Sequence, residues 1–119
     1  MGGAMLAMAA FAQSFSYTAA DFTIPPMQWR PVPLWFWNNT AVNAQEIEQQ
    51  LEQMIGTDNY GGCAILPFGG GFQPGYLSED YFELYGKAIE VAKKHGAAMS
   101  VYDEYGFPSG SMGAINGSG

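Results

Sequence analysis

Residues 61–68 read GGCAILPF, a short apolar run that lacks the alternation of a half-exposed strand. Two similar runs lie on either side of it in the chain, PLWFWN at residues 33–38 and AAMSVY at residues 97–102. Continuous apolarity over a few residues is typical of a strand that is buried on both faces. Each run ends in polar or glycine-rich turn residues, so we predict three short buried strands.

Two amphipathic helices are predicted between these strands. The first begins at Asn43, which forms a capping-box pattern with Glu46, and is expected to end at Gly56. The second begins at Ser78, carries acidic residues in its first turn, and is expected to end at Gly96. Apolar residues recur at helical spacing on one face of the first helix, at Ile47, Leu51, Met54 and Ile55.

The order strand, helix, strand, helix, strand indicates consecutive parallel βα units, as in a doubly wound sheet or an eight-stranded barrel. A dinucleotide-binding sheet needs a glycine-rich turn after its first strand. Here that turn is Asn38-Asn39-Thr40. The glycines at residues 69–71 follow the second strand, several residues before the helix that begins at Ser78. A small nucleotide-binding protein is therefore the least favoured interpretation.

The composition of the chain excludes one class of partner. Four Lys+Arg stand against eleven Asp+Glu among 119 residues, for a net charge of −7. A nucleic-acid surface needs clustered cations, so we predict that no nucleic acid binds. Cys63 is the single cysteine and His95 the single histidine, too few ligands for a zinc site. We interpret Cys63 as a small buried hydrophobe.

Residues 1–12 form a candidate signal peptide. Residues 5–12 read MLAMAAFA, and Ala10-Phe11-Ala12 matches the small-x-small pattern that precedes cleavage, although no basic residue comes before it. The alternative is an ordinary amino terminus. The signal interpretation predicts a secreted or periplasmic protein with no membrane contact beyond that segment. Residues 13–30 are predicted to be a linker or lead-in, because Pro25-Pro26 disfavours a helix.

Ligands of parallel α/β sheets bind at the carboxyl ends of the strands. The first strand ends at Trp37 and Asn38, and the third is followed by Asp103 and Glu104. Rings, an amide and carboxylates together suit a sugar, so we predict these four residues as candidate substrate contacts, with at most one of Asp103 and Glu104 touching the sugar. The alternative is that the rings fill a core and the acids meet water. Neighbouring residues in an extended chain point in opposite directions, so Asp103 and Glu104 are poorly placed to be one glycosidase pair.

Several motifs in order carry a resemblance to a known family. These are FWN at residues 36–38, EIEQQLEQM at 46–54, LSEDYF at 77–82 and YDEYGFPSG at 102–110. Together they resemble the start of the catalytic barrel of the α-L-rhamnosidase family of glycoside hydrolases, family 106. The resemblance covers roughly residues 31–113. The turn after the second strand departs from the family form, because it lacks a basic residue.

The resemblance implies an α/β fold in which residues 31–119 are the first three βα units of an incomplete (β/α)8 TIM barrel. It implies a secreted hydrolase of terminal sugars in polysaccharides, with two catalytic carboxylates that lie beyond the third strand and calcium nearby in the full-length enzyme. No cofactor is expected in these residues. A complete barrel takes about 250 residues, so we expect an inactive fragment that needs the rest of its own chain to fold. The alternative is a small standalone carbohydrate-binding module with an aromatic rim.

Overall fold

The computed structural model describes residues 16–38, 41–69 and 71–106. The signal segment predicted at residues 1–12 lies outside them, as does the end of the YDEYGFPSG motif. The described strands are β1 (Leu34–Asn38), β2 (Gly62–Phe68) and β3 (Ala98–Ser100). The described helices are α1 (Ala19–Thr23), α2 (Ala44–Leu51) and α3 (Glu79–Lys94), with a 3₁₀ turn at Met27–Trp29. Each predicted strand is present, but β3 is shorter than expected and is not the buried strand that we predicted, because Ala98 and Ser100 are exposed.

The three strands form a parallel sheet in the order β1-β2-β3. Trp37 of β1 lies opposite Pro67 of β2, and Asn38 lies opposite Phe68. Cys63 of β2 lies opposite Met99 of β3. The α/β class with a parallel sheet is therefore confirmed, and each βα unit feeds the neighbouring strand.

Helices α2 and α3 cover one face of this sheet, which we call the helix face. Alternation along the strands directs Trp35 and Trp37 of β1 and Cys63 and Ile65 of β2 to that face. These side chains are buried in one cluster with residues from both helices. The helical members of the cluster are Ile47, Leu51, Ile55, Tyr81, Ala88, Val91 and Ala92.

The opposite face of the sheet, which we call the open face, differs from the sequence prediction. Burial of both faces is found in β2, where Ala64 and Leu66 are buried as well. In β1 the burial alternates, so that Leu34 and Phe36 are exposed while Trp35 and Trp37 are not. The four apolar residues 34–37 conceal this alternation, because exposed and buried positions carry the same kind of side chain.

Both predicted helix starts are confirmed by their caps. The Asn43 side chain accepts a hydrogen bond from the Glu46 amide at 2.9 Å, and the Ser78 hydroxyl accepts one from the Tyr81 amide at 3.2 Å. Such caps satisfy amide groups that have no partner within the helix. Gly96 follows α3 with φ +67, the left-handed conformation that favours glycine at a helix end.

The predicted end of the first helix at Gly56 is wrong. The chain continues from α2 into a π-helical segment, Glu52–Thr57, that passes through Gly56. Ile55 in this segment is buried in the helix-face core, so packing extends the winding beyond the glycine. Local glycine propensity is overridden by tertiary contacts here.

The structure has two further features that the sequence analysis did not predict, a helix in the lead-in and a close contact between two strands. The lead-in contains α1, whose capping box joins Thr18 and Asp21, although we predicted no helix at residues 13–30. Gly62 has φ +147, and a Cβ placed on it would lie 1.7 Å from the Ala98 carbonyl oxygen. A glycine is therefore required where β2 approaches β3.

Candidate functional site

The candidate site lies at the carboxyl ends of the strands, where backbone contacts tie three loops together. The Val42 amide donates to the Gln73 carbonyl at 3.0 Å, which joins the loops after β1 and β2. The Gly106 amide donates to the Pro67 carbonyl at 2.8 Å, and the Tyr105 hydroxyl donates to the Gly69 carbonyl. The loop that carries Asp103 and Glu104 is thereby held against the end of β2.

An aromatic pair stands on the open face at this edge. Phe36 and Phe68 contact each other edge to face, with ring centroids 6.4 Å apart, and Phe36 is 50% exposed. Asn38 is exposed and lies on the same face, because it follows Phe36 by two residues and pairs in register with Phe68. The structure thus brings one predicted contact, Asn38, together with two exposed rings.

Trp37 lies on the other side of the sheet from Asn38. Its side chain is 3% exposed and packs edge to face against Trp35, Tyr81 and Tyr85, with centroid distances of 5.5, 6.0 and 6.4 Å. Its indole Nε1 is buried without a hydrogen-bond partner among the described residues. A ring in this position contacts protein on its faces, so a direct role of Trp37 in substrate binding stays a prediction that this geometry does not favour.

The acidic dipeptide after β3 has two different environments. Asp103 is exposed, whereas Glu104 is half-buried and its Oε2 has no hydrogen-bond partner within the described part of the chain. Both carboxylates lie near Tyr76, whose pKa is raised by burial of its hydroxyl and further by the charges of Asp103 and Glu104. A buried carboxylate oxygen is normally paired with a donor, so the described residues leave Glu104 incompletely hydrogen-bonded.

The described residues contain no group of three or more His, Cys, Asp or Glu side chains that could hold a metal ion. The calcium that the family resemblance implies therefore has no ligand set within these ranges. Cys63 is buried, its Sγ lies 3.7 Å from Sδ of Met99, and burial raises the pKa of its thiol to about 11. Such a thiol stays protonated near neutral pH and is a poor nucleophile.

Sequence reasoning did not select Phe36 and Phe68 as site residues. The signal that identifies Phe36 is the polar Asn38 two positions later, since residues two apart share a face of a strand. Phe68 is identified only by the register between β1 and β2, which is a tertiary property that no local pattern encodes.

The fold and this edge define a parallel α/β protein whose candidate ligand surface lies at the carboxyl ends of its strands. Comparison with protein-family models, with curated proteins and with solved structures found no match to this chain. Among the helices of residues 16–38, 41–69 and 71–106, none is both long and apolar enough to cross a bilayer.

Proposed function

We propose that this chain is the beginning of a secreted glycoside hydrolase that acts on terminal sugars of polysaccharides, in the manner of a rhamnosidase. In this proposal its three βα units are the first three of a (β/α)8 barrel. The parallel order β1-β2-β3 supports it, as does the placement of α2 and α3 on one face. In a barrel the helix face lies outside and the open face lines the interior.

The observation that carries the sugar proposal is the exposed pair of Phe36 and Phe68 beside Asn38 at the carboxyl edge. The C–H face of a pyranose ring is apolar and packs on aromatic rings, while its hydroxyls need donors and acceptors. Asn38 supplies both kinds of polar group on the same face. A half-exposed aromatic pair next to an amide therefore suits a sugar better than a wholly apolar ligand.

One of the two neighbouring carboxylates, Asp103 or Glu104, is proposed as a further substrate contact that accepts from sugar hydroxyls. The loop that carries them is fixed to Pro67 and Gly69, close to Phe68. Trp37 lies on the opposite side of the sheet from Phe36 and Phe68, where it packs in the helix-face core under β1. The catalytic carboxylates remain unassigned, and the family resemblance places them, with any calcium, beyond the third strand.

The barrel part of the proposal rests on surface that is left uncovered. Within the described residues no strand pairs with the outer edge of β1 or of β3. Leu34 and Phe36 are exposed apolar side chains on the open face of β1. Unpaired edges and apolar open faces are covered when a parallel sheet closes into a barrel. We therefore propose that further strands of the same protein complete the sheet.

The test is calorimetric titration of the full protein with L-rhamnose, in parallel with the variants Phe36→Ala and Phe22→Ala. Phe22 is the matched control, because it is exposed on α1 and lies outside the candidate site. We expect saturable binding that Phe36→Ala weakens at least about fivefold, since a ring contact contributes about 1 kcal/mol or more. Equal affinity in all three proteins, or no binding, would contradict the proposal.

The carbohydrate-binding module is the second candidate, and the buried helix-face core favours it. A cluster that contains four strand residues and both helices is a plausible basis for independent folding. The two candidates differ in what the isolated chain can do. A module binds sugar and unfolds cooperatively on its own. A barrel needs further βα units before it can hydrolyse a substrate. Sharp thermal unfolding of the isolated chain would favour the module.

A further inference from the structure

A second cleft lies on the helix-face side of the molecule, between α3 and the segment that follows β3. It has a volume of about 330 Å³, within the range of small-molecule sites. The residues that carry the argument are Tyr76, Tyr81, Phe82, Tyr85, Tyr102 and Asp103. The sheet separates it from the pair of Phe36 and Phe68, and Asp103 is the one residue that it shares with the proposed sugar site.

The aromatic rings of this cleft surround a common space. Tyr81 is buried and forms its base, with ring centroids 5.4 Å from Tyr76, 5.6 Å from Phe82 and 5.9 Å from Tyr85. The first two contacts are close to perpendicular, at 74° each. Tyr76, Phe82 and Tyr85, which pack around Tyr81, also line the cleft, and the face of an aromatic ring attracts a cation. Phe82 is 52% exposed, so the cleft is accessible.

The charged side chains around the cleft are acidic. Asp103 lies at its rim, and the acidic first turn of α3, Glu79 and Asp80, begins beside it. No lysine or arginine lines the cleft in the described part of the chain. Lys87 and Lys94 pair with Glu48 of α2, on the other flank of α3. Burial and neighbouring groups raise the pKa of Tyr81 and Tyr85, so these rings carry no charge near neutral pH.

We propose that this cleft binds a compact organic cation, a quaternary ammonium or a protonated amine with apolar substituents. The ring faces attract the cation, and the Asp103 carboxylate supplies the opposite charge at the rim. Tyrosine hydroxyls and Val101 complete a surface that is apolar with a few polar points, as small-molecule sites are. This inference is independent of the proposed glycosidase function.

The test is calorimetric titration of the full protein with choline and with 3,3-dimethyl-1-butanol, its neutral isostere. We expect choline to bind saturably and the isostere to bind at least about tenfold more weakly, because only the cation interacts with the ring quadrupoles. Equal binding of both probes would show a merely apolar groove and overturn the proposal. Absence of saturable choline binding, as expected if another helix of the protein covers this flank, would overturn it too.

Two pairs of variants locate the site. Phe82→Ala and Asp103→Asn are each expected to weaken choline binding by about fivefold to tenfold. Their controls, Phe22→Ala and Asp58→Asn, change exposed residues outside the cleft and are expected to leave it unchanged. Phe36→Ala distinguishes this proposal from the sugar proposal, since it should weaken L-rhamnose binding and leave choline binding intact. A choline affinity that survives both cleft substitutions would contradict the assignment.

Discussion

Neighbouring residues of one strand have very different burial on the two faces of the sheet. Trp37 of β1 is buried among rings and helices, whereas Phe36, one residue earlier, is half exposed on the open face. Both are large aromatic side chains in an uninterrupted apolar run. The difference between them is produced by the helices that pack on one face only. This difference in burial indicates that the helix face holds the fold together, while the open face is available for binding or for closure by further strands.

The largest effect is expected where the strands themselves approach most closely. Gly62→Ala places a methyl group against the Ala98 carbonyl and in a conformation that side chains rarely adopt. We expect a loss of more than about 4 kcal/mol in unfolding free energy, measured by urea denaturation. Gly75→Ala is the control, because a Cβ there has no heavy atom within 4 Å. Similar stability of the two variants would refute the close approach of β2 to β3.

The difference between the two faces is tested most directly by truncating one aromatic side chain on each face. Trp37→Ala removes a buried side chain from the core and is expected to cost about 3–4 kcal/mol. Phe36→Ala removes a half-exposed side chain and is expected to cost less than about 1.5 kcal/mol. Thermal and urea unfolding of both variants provide the measurement. A cost for Phe36→Ala that equals that of Trp37→Ala would mean that the open face is covered in solution.

A smaller effect is expected at the start of α3. Ser78→Ala removes the hydroxyl that accepts from the Tyr81 amide, and we expect a loss of about 1 kcal/mol. Ser78→Asp retains a capping acceptor and is expected to preserve stability. Urea denaturation of the two variants checks this expectation. Equal destabilisation by both would argue that the hydroxyl is not acting as a cap.

The smallest effect concerns the surface charges that join α2 and α3. Lys94 and Lys87 beside Glu48 hold the pKa of that carboxyl below its ordinary value of 4.5. A lowered pKa in the folded state contributes stability above the ordinary value, and that contribution is lost as pH falls through the lowered pKa. We expect Glu48→Gln to lower the unfolding midpoint slightly at neutral pH and low salt, but not below about pH 3.

Screening provides the control for this charge effect. Because Glu48 and both lysines are accessible to solvent, high salt should remove the difference between the parent chain and Glu48→Gln. A difference that grows with acid, or that is insensitive to salt, would contradict a role for these ion pairs.

The sequence was sufficient to predict the strand and helix order, the caps at Asn43 and Ser78, and the parallel class of the sheet. These features are local, since each depends on apolar runs or on residues within one turn. It failed at Gly56 and at the lead-in, where packing of Ile55 and the capping box of Thr18 and Asp21 decide the conformation. The end of a helix depends on what its last turns contact, which local propensity does not contain.

The site was predicted less completely than the fold. Asn38, Asp103 and Glu104 lie at the carboxyl edge as expected, because strand ends in a parallel sheet share that edge. Trp37, a predicted contact, is buried on the helix face, whereas Phe36, which the sequence analysis did not select, is exposed, since β1 is buried on one face and not on both. The pairing of Phe36 with Phe68 depends on strand register, and the aromatic cleft depends on how α3 lies against β3.

The most direct test of the central claim is a two-dimensional NMR titration of the 119-residue chain with L-rhamnose. The account predicts that ring and side-chain amide signals of Phe36, Asn38 and Phe68 shift progressively, while the Trp37 indole signal on the helix face stays unchanged. Shifts confined to the helix face, or no shifts at saturating sugar, would contradict the claim that the open face of this sheet is the ligand-binding surface.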